Sequence, residues 1–315
     1  MPRLAIIGAG VMGANHGRVA RSVREFTVTS ICDPDLERAA AVAAPLKAKA
    51  TSDVDEAIAS ADAVILAAPS HLHGDIGEKV LKSGRDLLVE KPIATSVRDA
   101  ERLIEAAAAN DRILMVGHVE RFNPAVSELI GMVDNPISIE ITRVGPFSPR
   151  NLADVFLDLM IHDIDLARAL MGSEIATHQA SAKIVRSGDL DFACALLQFD
   201  NGVLANFTAS RVSQYKIRRI TITQRDNAIV ADLLRQQVEV HRIESSEFLS
   251  ESGVRYRQSG LVEIPYMSQH GEPLALELRH FAMCVEQRTQ PLVSGEDGLK
   301  ALQACVSLRE SAMVS

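Results

Sequence analysis

"RLAIIGAGVMG", residues 3–13, decides the fold. An apolar, strand-like run ends in G-x-G-x-x-G and passes straight into a helix-like segment near 12–24. Gly8 permits a tight turn, Gly10 lets the backbone approach a pyrophosphate, and Gly13 lets the helix pack closely on the strand. The helix N-terminus then faces the phosphates. Glycines serving only a tight turn are the competing explanation. Asp33 ends the next strand-like run, 20 residues after Gly13, where ribose hydroxyls would lie. A carboxylate there accepts from a 2′-hydroxyl but repels a 2′-phosphate. No Arg directly follows it (Pro34, Asp35 and Leu36 come next), so the pattern predicts NAD rather than NADP.

Outward from this motif, strand-like runs at 3–9, 27–33, 61–69, 86–90 and 113–117 alternate with helix-like segments near 12–24, 34–44, 53–60, 71–83 and 96–110. Ser52 and Ser96 read as helix N-caps, each with an Asp three residues on. The alternation implies parallel βαβ units. The expectation is an α/β N-terminal Rossmann domain over residues 1–120. From about residue 137 strands follow one another with turn signals, and Asp200-Asn201-Gly202 marks a hairpin. Residues 121–315 are therefore expected to form an α+β C-terminal domain with a largely antiparallel open sheet. Helices near 152–171 and 273–313 would cover one sheet face, and the final helix could pack back on the first domain.

The 315 residues are 47% hydrophobic and 23% charged, enough for a large core and unlike a disordered chain. A net charge of -8 argues against nucleic acid or an anionic membrane as the main partner. No apolar run approaches the roughly 18 residues of a membrane span. The first residues do not read as a signal peptide. Cys32, Cys194, Cys284 and Cys305 are widely spaced, which predicts reduced thiols in a cytoplasmic protein with no metal site.

Two further stretches carry chemistry. "VEKPIAT", 89–95, lies just beyond a strand's carboxyl end, where α/β sheets bind ligands. Lys91 is placed to face a cofactor, and the alternative is a surface lysine in a turn. In "FLDLMIHDIDLARAL", 156–170, Leu157, Met160, Ile161 and Ile164 form an apolar helical stripe. Asp158 and His162, at i and i+4, project together beside it, with Asp165 at the same spacing. An imidazole near its ordinary pKa of about 6.5 suits a base at neutral pH. The competing explanation is an Asp at a helix N-terminus and a core His. Asp163 and Asp165 invite a metal reading, but neighbours on a helix diverge by about 100° and make poor joint ligands. His71 and His73 alternate on a loop, near the cofactor or as loop caps.

With "GAGVMG", "AAPSHLHGDIGEKVLKSGRDLLVEKPIA" (67–94), "LDLMIHDIDLA" (157–167) and "VSGEDGLKAL" (293–302) in view, the chain resembles the glucose–fructose oxidoreductase / inositol dehydrogenase / MocA family over essentially its whole length. The resemblance implies that Lys91, Asp158 and His162 meet at the nicotinamide as the catalytic group, and it suggests a cis bond before Pro92. It implies a cofactor set of Gly8, Gly10, Val11, Met12, Gly13, Asp33, Ala68, Pro69, His73, Glu90 and Lys91. For substrate it implies Lys91, His118, Arg121, Asn123, Asp158, His162, Arg211 and Arg219.

"VGHVERFNPAV" (116–126) and "SRVSQYKIRRITI" (210–222) look more like the family's sugar-nucleotide branch than its inositol branch. That likeness implies oxidation at C3 of a UDP-sugar such as UDP-N-acetylglucosamine. The alternatives are a dehydrogenase of a free polyol or sugar and a non-catalytic NAD- or sugar-binding regulator. Arg121, Arg143, Arg150, Arg211, Arg218 and Arg219 are the phosphate candidates, each otherwise a solvated surface arginine. Strands apolar or small on both alternating sets, "CALLQF" and "VLANFTA", predict a homodimer or homotetramer joined through a sheet face, as the family resemblance also implies.

Overall fold

The computed structural model describes residues 1–148, 153–250 and 253–313. In chain order the first elements are β1 (Arg3–Ile7), α1 (Val11–Ala20), β2 (Thr27–Cys32), α2 (Leu36–Ala43), β3 (Lys49–Thr51), α3 (Val54–Ala59), β4 (Ala63–Leu66), α4 (His73–Lys82), β5 (Asp86–Glu90), α5 (Val97–Ala109) and β6 (Leu114–Gly117). There follow α6 (Pro124–Met132), β7 (Ser138–Val144), a π-turn (Phe156–Met160), α7 (Ile161–Met171), β8 (Ile175–Lys183), β9 (Phe192–Phe199) and β10 (Leu204–Ser210). The chain closes with β11 (Ile217–Thr223), β12 (Ala228–Asp232), β13 (Gln237–Ser250), β14 (Gly253–Glu263), α8 (Pro273–Gln287) and α9 (Gly295–Met313). Two compact units result: Met1–Phe122 with Gly271–Gln303, and Asn123–His270 with Ala304–Ser315.

The first unit carries a parallel sheet ordered β3-β2-β1-β4-β5-β6. Leu4, Ile6, Ile31, Ile65, Leu66, Leu87 and Leu88 are fully buried. Continuous apolar strands of this kind suit a parallel sheet covered on both faces. The strand order turns back between β1 and β4, which opens a crevice at their carboxyl ends. Ser96 caps α5 as expected, accepting from the Asp99 N–H at 3.1 Å. The cap of α3 is Asp53 rather than Ser52; its carboxylate takes the N–H groups of Asp55 and Glu56.

Gly271–Gln303 belong to this first unit; the sequence places α8 in the second domain and allows only the final helix to pack back on the first. Val293–Ser294 extends the β6 edge, with the Val116 N–H donating to the Val293 carbonyl at 3.1 Å. Phe281 of α8 lies against Phe26, ring centroids 5.7 Å apart. Arg288 ties the end of α8 to Asp86 at 2.8 Å. An amphipathic pattern shows that a helix has a core face; it does not show which core receives it.

The second unit holds a sheet ordered β14-β13-β12-β11-β7-β10-β9-β8. All pairings are antiparallel except β7 with β10. Asp200-Asn201-Gly202 makes the β9–β10 turn, with Gly202 at φ +87° and its N–H on the Phe199 carbonyl. Ile139, Ile141, Ala205, Phe207, Ile220 and Ile222 bury one sheet face. The π-turn packs on β10 and α7 on β7. The opposite face exposes Glu140, Asn206 and Arg219 around Leu196 and Leu204. Among the described residues no helix is long and apolar enough to cross a membrane.

Candidate functional site

The crevice of the first unit is shaped by its glycines. Gly8 has φ +100°, and a Cβ on it would lie 2.5 Å from the Ala67 carbonyl oxygen. A Cβ on Gly13 would fall 1.8 Å from the Gly8 carbonyl oxygen. Both positions exclude any side chain. At Gly10 a Cβ would meet nothing within 4 Å, so the backbone there faces open space. Gly10 is the N-cap of α1 and offers no side-chain cap, and the first turn carries no acid. Amide groups at this helix start are thus turned to an anion without competition. Val11, 65% exposed, and Met12 sit at the mouth of the cradle. Ala68 and Pro69 follow β4 on the other side of the turning point. These residues fit a dinucleotide pyrophosphate.

Asp33 is buried at the end of β2. Its carboxylate accepts the Ala9 N–H at 2.8 Å and the Asp35 N–H at 2.9 Å. Each oxygen keeps a lone pair for a ribose hydroxyl. The structure adds Arg38, which the motif around Asp33 does not include. Its guanidinium clamps Asp35 at 3.1 Å and lies 3.9 Å from Asp33. The signal in the sequence is an arginine in the first turn of α2, five residues beyond Asp33.

Lys91 emerges half-buried from the end of β5, before a cis peptide bond to Pro92. A ring of buried groups surrounds it. His73 does not present itself to a ligand: it is buried, with Nδ1 2.9 Å from the Pro92 carbonyl and Nε2 2.9 Å from the Ala68 carbonyl. Burial lowers its pKa, and the neutral ring braces the two loops together. Glu90 likewise turns inward, its Oε1 2.7 Å from His16 Nε2. His118 is fully buried; burial first, then the charges of Lys91 and Arg121, push its pKa down to about 3. It stays neutral and offers a substrate no surface. Arg121 donates to the Leu292 carbonyl at 3.1 Å.

In the second unit Asp158 and His162 are half-exposed, while Met160, Ile161, Asp163, Ile164 and Asp165 are buried. The helix start is held by Asp154, which accepts the N–H groups of Phe156 and Leu157 and pairs with Arg309 at 3.1 Å. Asp158 lies in a π-turn, a local widening frequent at functional sites. Asp163 turns away from His162 to pair with buried Arg143 at 2.7 Å. Asp165, one turn on from His162, is buried too.

The arginine expectations need correction. Arg211 is buried and bonded to Asp191 at 2.7 Å, to the Ala153 carbonyl and to Ser187. Burial opposes ionisation of Asp191, but hydrogen bonds from Ser187, two backbone N–H groups and Arg211 outweigh it and hold its pKa far down. Arg211 is therefore a lock on the 185–191 loop and is not available to phosphate. Arg219 is exposed, but on the sheet face opposite α7. Arg218 stands in register with Arg143 and shares its face, so it is the arginine of this strand on the helix side. Asn123 is buried as the N-cap of α6 and donates to the Leu233 carbonyl at 3.0 Å. Arg150 lies outside the described residues.

Comparison with known proteins agrees with both units. Residues 2–118 match the oxidoreductase family with an NAD-binding Rossmann fold. Residues 146–230 match the GFO/IDH/MocA C-terminal domain. The chain is 30% identical to a UDP-N-acetylglucosamine 3-dehydrogenase of Acidithiobacillus ferrooxidans, covering 98% of this chain and 96% of that protein. It is 29% identical to the scyllo-inositol 2-dehydrogenase (NAD(+)) of Bacillus subtilis, covering 98% and 93%. A solved structure of the Acidithiobacillus ferrooxidans enzyme superposes with a TM-score of 0.89 at 28% identity, covering 99% and 98%.

Proposed function

The chain belongs to the GFO/IDH/MocA family of oxidoreductases, and within it we propose an NAD-dependent dehydrogenase that oxidises a secondary alcohol of a sugar, at C3 of a UDP-sugar such as UDP-N-acetylglucosamine. The observation that carries this reading is the presence of Lys91 beyond β5 together with half-exposed Asp158 and His162 at the π-turn and α7. A regulator with no catalysis would be free to lose them.

Bound NAD would supply the hydride acceptor. The cradle Gly8–Gly13 would hold its pyrophosphate, and Asp33 its adenosine ribose. In this reading His162 takes the proton of the reacting hydroxyl, Lys91 donates a hydrogen bond to the same oxygen, and Asp158 orients His162 or a neighbouring hydroxyl. Asp33 supports NAD over NADP. Its neighbour Arg38 is held by Asp35, which leaves the carboxylate to set the local charge.

For the nucleotide part, Arg218 replaces Arg211 and Arg219 as the phosphate candidate: Arg211 is bound to buried Asp191 and Arg219 faces away from α7, whereas Arg218 shares the face of Arg143. A free polyol is the second reading, supported by the comparable likeness to the scyllo-inositol enzyme. Turnover on UDP-N-acetylglucosamine, free N-acetylglucosamine and myo-inositol separates the two. Binding energy from the diphosphate, remote from the reacting carbon, should raise turnover as well as affinity. UDP should compete. Equal activity on the free compounds with no inhibition by millimolar UDP would favour the polyol. We further propose a cytoplasmic homodimer or homotetramer joined through the exposed sheet face around Leu196 and Leu204.

A further inference from the structure

Behind Lys91 the first unit buries two carboxyl groups and one imidazole that the proposed reaction does not use. His16, on α1, is fully buried, with Nε2 2.7 Å from Glu90 Oε1. Glu90 ends β5 and is buried against Gly117, where an added Cβ would fall 3.2 Å from Glu90 Oε2. Glu277, on α8, is fully buried, and neither of its carboxyl oxygens has a hydrogen-bond partner among the described residues. His16 Nδ1 has none either. The other charged or titratable groups acting on the cluster are Lys91 itself, His73 from α4, and His118 after β6. Burial keeps His73 and His118 neutral.

Two carboxylates in one dry site cannot both ionise cheaply, because like charges repel strongly where the dielectric is low. Glu90 has His16 and Lys91 to favour its charge, and its pKa is lowered although burial opposes this. Glu277 has no such partner. Burial first, and then the charge of Glu90, raise its pKa well above the ordinary value. The two carboxyl groups thus carry one negative charge and one exchangeable proton.

The position of this proton matters because of the sheet order. The pyrophosphate cradle follows β1, and Asp33 draws the adenosine half over β2. The nicotinamide half must then extend to the other side, over β4 and β5, where Glu90 and Lys91 end the strand. The oxidised nicotinamide ring carries a positive charge and the reduced ring does not. We propose that Glu277, with Glu90 and His16, forms a buried charge sensor for the redox state of the cofactor: Glu277 gives up its proton when the oxidised ring binds and holds it when the reduced ring binds. Glu277 is a positioning residue here, acting through Glu90.

This inference rests on the cofactor part of the proposed function but not on any substrate. Two measurements test it. Infrared difference spectra of the cofactor-free protein near neutral pH should show the carbonyl stretch of a protonated carboxylic acid, absent in Glu277→Gln. Calorimetric titration in two buffers of different ionisation enthalpy should then show release of a fraction of a proton on binding NAD+ and none on binding NADH. The Kd for NAD+ should fall as pH rises, by at most about tenfold per pH unit for one released proton. Glu277→Gln should abolish both effects. If that variant does not fold, Glu277→Leu serves the same comparison. Equal proton release with the two cofactor forms, release unchanged in the variant, or no protonated-acid band would overturn the sensor while leaving the dehydrogenase reading standing. No binding of either cofactor form would overturn both.

Discussion

Asp33 shows how a single side chain can set a preference and what stands ready behind it. Its carboxylate stabilises the glycine loop and faces the ribose side, while Arg38 waits 3.9 Å away. Replacing Asp33 by Ser should weaken NAD binding by roughly 1.5–3 kcal/mol, the scale of a charged hydrogen bond. It should also admit NADP, because the carboxylate that repels a 2′-phosphate is gone while Arg38 stays close to that position. The ratio of kcat/KM for the two cofactors checks this, and an unchanged ratio would contradict the placement of Asp33. His118 gives a prediction in pH. The folded imidazole binds a proton only near pH 3, whereas the unfolded one does so near the ordinary ~6.5. As pH falls below about 6.5 the unfolded chain takes up the extra proton, so stability is lost on acidification. Thermal melting from pH 7 to 5 should therefore show a falling Tm. His118→Gln should flatten that fall, and an equally steep fall in the variant would mean that His118 is not the group responsible.

At the scale of elements, the strand arginines separate structure from recognition. Arg211→Ala breaks a buried pair and should cost about 3–5 kcal/mol of stability. Arg218→Ala should lower the melting temperature less than Arg211→Ala does and raise KM for a nucleotide sugar about tenfold, or ~1.4 kcal/mol. Circular-dichroism melting with steady-state kinetics reads both, and a KM untouched in Arg218→Ala would remove that residue from the phosphate site. This distinction is not legible in the sequence. Arg218 and Arg219 are neighbours, and only the pairing of β11 with β7 says which faces the helix. Strands with continuous apolar runs are legible, as are the Ser96 cap and the Asp200–Gly202 turn, because each has a local cause. The short edge strand β3, helix α6 and strand β14 are not, having too few apolar residues or a weak period. The π-turn at 156–160 is invisible because it departs from helical spacing without any special residue. His16 and Glu277 cannot be joined from sequence, since 261 positions separate two residues that share one buried site.

At the scale of the molecule, the chain has the two units that its family pairs, one for the cofactor and one with a large open sheet. The exposed Leu196 and Leu204 on that sheet should be covered in an oligomer, so light scattering at micromolar concentration should give at least a dimer mass; a monomer would count against it. Removing the proposed catalytic residues should affect chemistry far more than cofactor affinity. Lys91→Met and His162→Asn should each lower turnover about 100-fold or more, the usual scale of a lost acid–base group, with NAD binding by calorimetry nearly intact. The central claim is that hydride passes from a sugar carbon to NAD with these groups in attendance. The most direct measurement uses UDP-N-acetylglucosamine deuterated at C3, with NAD+ and the wild-type protein. Mass spectrometry should find deuterium in the reduced cofactor and a ketone at C3, with the rate falling at least about 100-fold in His162→Asn. Reduced cofactor without deuterium, or transfer in His162→Asn at the wild-type rate, would contradict it.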